Sequence, residues 1–268
     1  GWTKPAPGWW PRLREMLVYA LPLIPASLAI WAMTSFNRYA LQGLSGTAEV
    51  GLFQLGSSIG MALTLGTGAF QQAWGPFALS IHQQEGHGRV YARVFLWVLW
   101  GGCTLACLFA AGAPLAVWLL ASPSYAPASV VVGPVALTCT LGALGYVLAI
   151  GPGIAKDNRP VAWAVILGGL VAVIGNLLLI PLFHLDGAAA AGVLGQCASL
   201  GFLYRRAQRI RPYPYAWRIG LVVLAVTLAI QVVIRLLIPI PGSEGLMLRL
   251  MACLPILSFG AWLWRHAR

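Results

Sequence analysis

Residues 94–120 read VFLWVLWGGCTLACLFAAGAPLAVWLL, 27 positions without one charged side chain. At about 1.5 Å of helical rise per residue, some 20 apolar positions cross the ~30 Å of hydrocarbon in a bilayer, so this stretch can span and tilt. Pro114 falls near its end, where a kink or an end near Ala113 is expected. Outward from this run, apolar blocks recur at 16–34, 50–70, 129–151, 161–183, 187–204, 219–240 and 246–264. Together they make about eight candidate spans. Between the second and third, Gln71 to Arg93 mixes Trp74, Phe77, Ile81 and Tyr91 with Gln, His, Glu and Arg, which predicts an amphipathic helix lying at the interface.

Composition agrees. The 268 residues are 59% hydrophobic and 9% charged, with a mean hydropathy of +0.80. A soluble domain carries roughly a quarter charged residues, so a water-exposed surface cannot be built here. The net charge of +11 would suit nucleic acid in a soluble protein, and the placement of the cations decides against it. Lys4, Arg12 and Arg14, then Arg89 and Arg93, then Lys156 and Arg159, then Arg205, Arg206, Arg209, Arg211 and Arg218, then Arg265 and Arg268 fall in alternate loops. The opposite side receives Arg38, with Arg235 and Arg249 just inside helix ends. This alternation is the positive-inside pattern; with an even number of spans it puts both termini in the cytoplasm. The chain opens on Gly1 without a signal peptide, and an upstream part is expected to have been cut away.

The chemistry-bearing residues are sparse. Cys103, Cys107, Cys139, Cys197 and Cys253 lie in or beside apolar blocks without a disulfide or metal spacing, and are read as packing. No phosphate-binding loop ending in Gly-Lys-Ser or Gly-Lys-Thr occurs. Glu15, Glu49, Glu85, Asp157, Asp186 and Glu244 all fall in loops or at helix ends, so the mid-span carboxylate of a coupled antiporter is missing. His82, His87 and His266 read as solvated loop residues, and His184 as part of a tight outer turn. No pair of carboxylates, and no histidine with a carboxylate partner, can be placed on one face, which argues against a membrane hydrolase or glycosyltransferase. No catalytic residue, metal or cofactor is expected.

What the spans hold instead is amides and hydroxyls: Gln54, Ser57, Ser58, Thr64 and Thr67, then Asn176, then Gln196 and Ser199, then Gln231. Each either bonds a neighbouring helix or faces a wet cavity where it can meet sugar hydroxyls, and interhelical bonding is the default. Gln54 with Ser57 and Ser58, on about one turn, is the strongest candidate cavity lining. Gly56 with Gly60, and Ala191 with Gly195 and Ser199, stand at i, i+4 and predict close helix contacts. Arg38 either snorkels to lipid phosphate, the reading favoured by the residues alone, or forks onto a diphosphate.

Several ordered stretches resemble the carboxy-terminal half of bacterial polysaccharide-unit (O-antigen and exopolysaccharide) flippases, in the multidrug/oligosaccharidyl-lipid/polysaccharide exporter superfamily. They are residues 13–28 (LREMLVYALPLIPASL), Asn37-Arg38-Tyr39, residues 49–53 (EVGLF), residues 69–77 (AFQQAWGPF), residues 176–183 (NLLLIPLF) and residues 186–189 (DGAA). Where that family carries Asp before the arginine, this chain has Asn37. The resemblance implies an all-α, polytopic second lobe of a two-lobe transporter plus two extra helices. It divides the chain into a lead-in (1–15), a six-helix lobe (16–206), a basic cytoplasmic linker (207–218) and two further helices (219–268), with the first lobe absent. It implies a bacterial inner-membrane flippase, not an enzyme, moving an undecaprenyl-diphosphate oligosaccharide through a cavity touched by Arg38, Gln54, Ser57, Ser58, Gln71, Gln72, Asn176 and Gln196. Membrane lipid, the missing amino-terminal lobe and polysaccharide polymerase machinery are the implied partners. The alternatives are a drug/cation antiporter or peptidoglycan-precursor flippase of the same superfamily, or a non-transporting subunit of a polysaccharide synthase.

Overall fold

The computed structural model describes residues 36–237 and 242–266, with residues 9, 10, 13, 14 and 17 before them. The lead-in and the expected span 16–34 lie otherwise outside the described residues. All regular structure among the described residues is helical. After a helical segment at 36–45 come α1 (Thr47–Met61), α2 (Leu63–Ile81), α3 (His87–Leu120), a 3-10 turn (Pro123–Ala128), α4 (Ser129–Ile154), α5 (Arg159–Ile210), α6 (Trp217–Leu237), α7 (Gly242–Ala252) and α8 (Leu254–His266). Among the described residues, four helical stretches are long and apolar enough to cross a membrane: α3, the 3-10 turn with α4, α5, and α6. Taken together as one span, the bent pair α1–α2 adds a fifth.

At 52 residues α5 is too long for one crossing, and it folds back at His184, whose φ of 49° and ψ of −120° break the helix. Gly168 lies against Gly195 and Ser199, Gly175 against Ala191, and Gly187 against Leu179. These pairs close on one point in the sequence, so the arms run antiparallel, matching the spans expected at 161–183 and 187–204. In lipid no hydrophobic drive pulls helices together, and small residues that let backbones touch supply the dispersion contact instead. The expected close contacts of Ala191, Gly195 and Ser199 are therefore those of a hairpin with itself. Gly56 and Gly60 similarly seat α1 against Ala128, Val131, Val132 and Val135. α4 is the hub: α1, α2, α3 and α5 all pack on it, and α6 packs on α3.

Four expectations change. The span at 50–70 is two helices bent by 43° about Ala62. The interfacial helix at 71–93 does not exist as a unit: α2 continues to Ile81, a turn follows, and Arg89 and Arg93 belong to α3. Trp74 and Ala78 are buried in the core, which ties that stretch to its neighbours, and Gly86 supplies the left-handed φ of 80° at the turn. Pro114 leaves α3 unbroken, with small residues at 110–113 making room for its ring. The span at 246–264 is split at Cys253, just ahead of Pro255, into helices of 11 and 13 residues. Arg249 lies in the last turn of α7, just inside a helix end as expected, and is buried there.

The basic linker is also shorter and tighter than expected, because α5 runs on to Ile210. Gln208 clamps it: its amide donates to the Tyr213 carbonyl (2.7 Å) and accepts the Tyr213 N–H (2.8 Å). The Tyr213 ring stacks edge-on to Tyr91 at 5.1 Å and lies against Gly88 and Gly151. Burial pushes the Tyr215 phenol well above its ordinary range, keeping it a neutral donor to the Val147 carbonyl. The turns after α2, α4 and α5 are thereby gathered at one end of the molecule. At the other, Ala126 and Pro127 share a cavity wall with Glu49, His184, Asp186 and Arg235.

Tyr91 also donates to the carbonyl of Ala78 at 2.6 Å, one of the last four carbonyls of α2, which lack a partner in their own helix. Tyr91→Phe strands that buried acceptor. It is expected to lower unfolding stability by about 1–3 kcal/mol, read as an earlier thermal transition of the purified protein; an unshifted transition would mean water already serves Ala78.

Candidate functional site

Burial divides α1 and α2 into two faces that stay in phase through the bend. On one, Gly56, Ser57 and Gly60 and then Leu63, Trp74 and Ala78 are buried. On the other, Gly51, Gln54, Ser58 and Met61, then Leu65, Ala69, Gln72 and Pro76, are exposed. From Gln54 to Gln72 is 18 positions, about five helical turns, so the two amides share a side. Gln71 sits half-buried at the edge of this ribbon.

The hydroxyls along the ribbon are spent locally. Ser58 donates to the Gln54 carbonyl at 2.8 Å, and Thr64 to the Met61 carbonyl at 2.6 Å, beside the bend. Neither the Gln54 nor the Gln72 side chain is hydrogen-bonded among the described residues. An amide without a partner is expensive in hydrocarbon, so a ribbon of this kind needs water or another protein surface over it. Small neighbours such as Gly51 and Ala69 leave the amides accessible. Chemically, it can give and take hydrogen bonds with a hydroxyl-rich ligand.

The other residues expected at the site lie elsewhere. Ser57 is buried on the packed face, its hydroxyl without a partner among the described residues. Asn176 is buried and donates to the Asn37 side-chain oxygen, joining the 36–45 segment to the hairpin. Gln196 is half-buried beside Gly142 of α4. Arg38 is exposed on 36–45, next to exposed Tyr39.

Reasoning on the sequence did not find the polar group at the hairpin tip. Ser45 Oγ is 3.2 Å and Glu49 Oε1 3.7 Å from His184 Nδ1, and Arg235 pairs with Asp186 at 3.1 Å. Glu49, His184, Asp186 and Arg235 line a cavity of about 560 Å³. The one signal for it was the placement of acidic residues and Arg235 at segment ends, and their pairing depends on which ends meet. Among the described residues no set of His, Cys, Asp or Glu could hold a metal ion, and all five cysteines are free. Glu49, Glu85, Asp157, Asp186 and Glu244 lie in turns or within a few residues of a helix end or the α5 break.

No protein-family model matches the chain. No curated protein matches its sequence. A solved structure matches in fold: the lipid II flippase MurJ in an inward closed conformation, with a TM-score of 0.65 and 12% sequence identity over 94% of this chain and 55% of that one. The likeness is one of fold, and the chain spans about half the length of that flippase.

Proposed function

We propose that this chain is the second lobe of a flippase that carries an undecaprenyl-diphosphate-linked oligosaccharide from the inner to the outer leaflet of a bacterial cytoplasmic membrane. The observation that carries the reading is the uncovered ribbon of Gln54, Ser58 and Gln72 on helices whose opposite face is locked onto α4. A fold that matches about half of a lipid II flippase leaves room for a partner lobe, and a polar ribbon facing that lobe across a wet cavity would hold sugar hydroxyls. Arg38 would take the diphosphate through its planar fork. Ser57, Asn176 and Gln196, packed inside the lobe, would hold helices together. Carboxylates kept near helix ends among the described residues favour this over a cation-coupled antiporter.

The test is transport of a labelled undecaprenyl-diphosphate oligosaccharide in vesicles holding the purified protein with its first lobe. Gln54→Ala combined with Gln72→Ala is expected to slow transport roughly 10-fold or more, the loss of two hydrogen bonds of about 1 kcal/mol each, with the amount of folded protein unchanged. A matching loss of folded protein would make the amides packing residues and remove the ribbon from the path. A second reading, a peptidoglycan-precursor flippase, is favoured by the matched structure itself. Lipid II carried in the same vesicles, with the oligosaccharide left behind, would decide for it.

A further inference from the structure

α6 packs on α3 and meets the second arm of α5 through the Arg235–Asp186 pair at one end, and the gap between the two helices is apolar and floored by α3 and α4. Its half nearer the basic turns is a cavity of about 490 Å³, lined among others by Leu99, Leu144, Leu200, Gly201, Leu221 and Leu224. It opens at Tyr204 and Arg205 into a second, polar cavity that also holds Gln208 and Arg209. A separate cavity farther along the same gap, about 400 Å³, ends at Asp186 and Arg235.

The two ends differ in charge. At the far end Arg235 is neutralised by Asp186 at 3.1 Å. At the near end no carboxylate lines either cavity, and neither Arg205 nor Arg209 makes an ion pair among the described residues. Arg206 is engaged otherwise, 5.3 Å over the Phe202 ring. An apolar slot in a membrane fills with hydrocarbon, and two unpaired cations at its mouth select a negative headgroup. Exposed Trp217 also lines it, a side chain suited to the headgroup level.

We propose that this slot holds an acyl chain of an anionic phospholipid from the surrounding leaflet, its phosphate lying between Arg205 and Arg209. A leaflet phospholipid fits better than a transported lipid, because the slot is on a different face of α4 from the amide ribbon. Val131, Val132 and Val135 meet α1, whereas Leu141, Leu144 and Leu148 line the slot. The lipid would fill the gap between α6 and α5 on the near side of the Asp186–Arg235 pair.

Native mass spectrometry of the purified protein, offered phosphatidylglycerol, phosphatidylcholine or undecaprenyl phosphate, reads this directly. The protein is expected to retain one phosphatidylglycerol with roughly 10-fold preference over phosphatidylcholine. Arg205→Ala with Arg209→Ala should erase the preference. Gly201→Phe should abolish retention of both phospholipids; a Cβ at Gly201 meets nothing within 4 Å, so the ring can enter the slot. Leu221→Trp fills it from the other wall, so a folding defect in one variant leaves the other to decide. Gln54→Ala should leave retention unchanged, which separates this site from the transport path. Equal retention of the two phospholipids, retention surviving both fillings, or displacement by undecaprenyl phosphate would each overturn the assignment.

Discussion

Gly195→Val is expected to force the arms of the α5 hairpin apart and to lower the stability of the folded protein sharply. A Cβ there would lie 2.6 Å from the Gly168 carbonyl oxygen and 2.8 Å from the Ala172 Cβ, inside any real contact distance. The obstruction is backbone on one side, so no rotamer change relieves it; the arms must separate. Separation also pulls Gly168 from Ser199 and Gly175 from Ala191, contacts that hold the arms in register. Overpacking of this kind costs about 1–3 kcal/mol or more, a large share of the roughly 5–15 kcal/mol that holds a folded protein together. The control is Gly201→Val on the same arm, where a Cβ meets nothing and the change should stay within about 0.5 kcal/mol. Thermal unfolding of the detergent-solubilised variants compares them, and equal behaviour of the two would mean that the arms are not in backbone contact.

Reporter fusions should give an on–off pattern. With the arginine-rich end in the cytoplasm, a reporter active only outside is expected to work after Thr47 or Pro123 and to fail after Glu85, Lys156 or Arg209, a contrast of roughly 10-fold or more. The physical basis is now three-dimensional as well as linear. Tyr213 meets Tyr91, Gly88 and Gly151, gathering the turns after α2, α4 and α5 at one end, while Glu49, Pro127 and His184 meet at the other. Turns that share an end must share a compartment. Activity at Arg209, beside the densest group of cations, would invert the whole assignment.

Much of the fold was legible in the sequence. Arg159 to Arg205 contains two apolar runs flanking His184, and the structure turns there; Gly56 with Gly60, and Ala191 with Gly195 and Ser199, mark helix contacts that the structure shows. The errors fall where run length misleads. Gln71, Gln72 and the polar residues of 82–85 lower the local hydropathy, so α2 looked finished at 70, although Trp74 and Ala78 carry its buried face on to Ile81. Proline was misleading in both directions: Pro114 sits in an unbroken helix and Pro255 at a break, since a ring is tolerated or not according to its surroundings.

For the site, the sequence identified which polar side chains lie in apolar segments and left open where they point. Gln54, Ser57 and Ser58 fall on about one turn, yet Ser57 is buried while the other two are exposed, because one residue of helix is a 100° rotation. The Asn37–Asn176 bond and the Asp186–Arg235 pair join positions 139 and 49 residues apart. Apolar run length, cation alternation and small-residue spacing are properties of the chain taken in order, so the sequence by itself determined a polytopic helical membrane protein, the alternation of its loops and the closest helix contacts. Only the tertiary structure decided which helix faces are covered, which turns share an end, and that a slot is left between α6 and α5. Those depend on how far apart packed helices come to rest, and in lipid, where apolar faces are indifferent between protein and hydrocarbon, hydropathy carries no record of that distance.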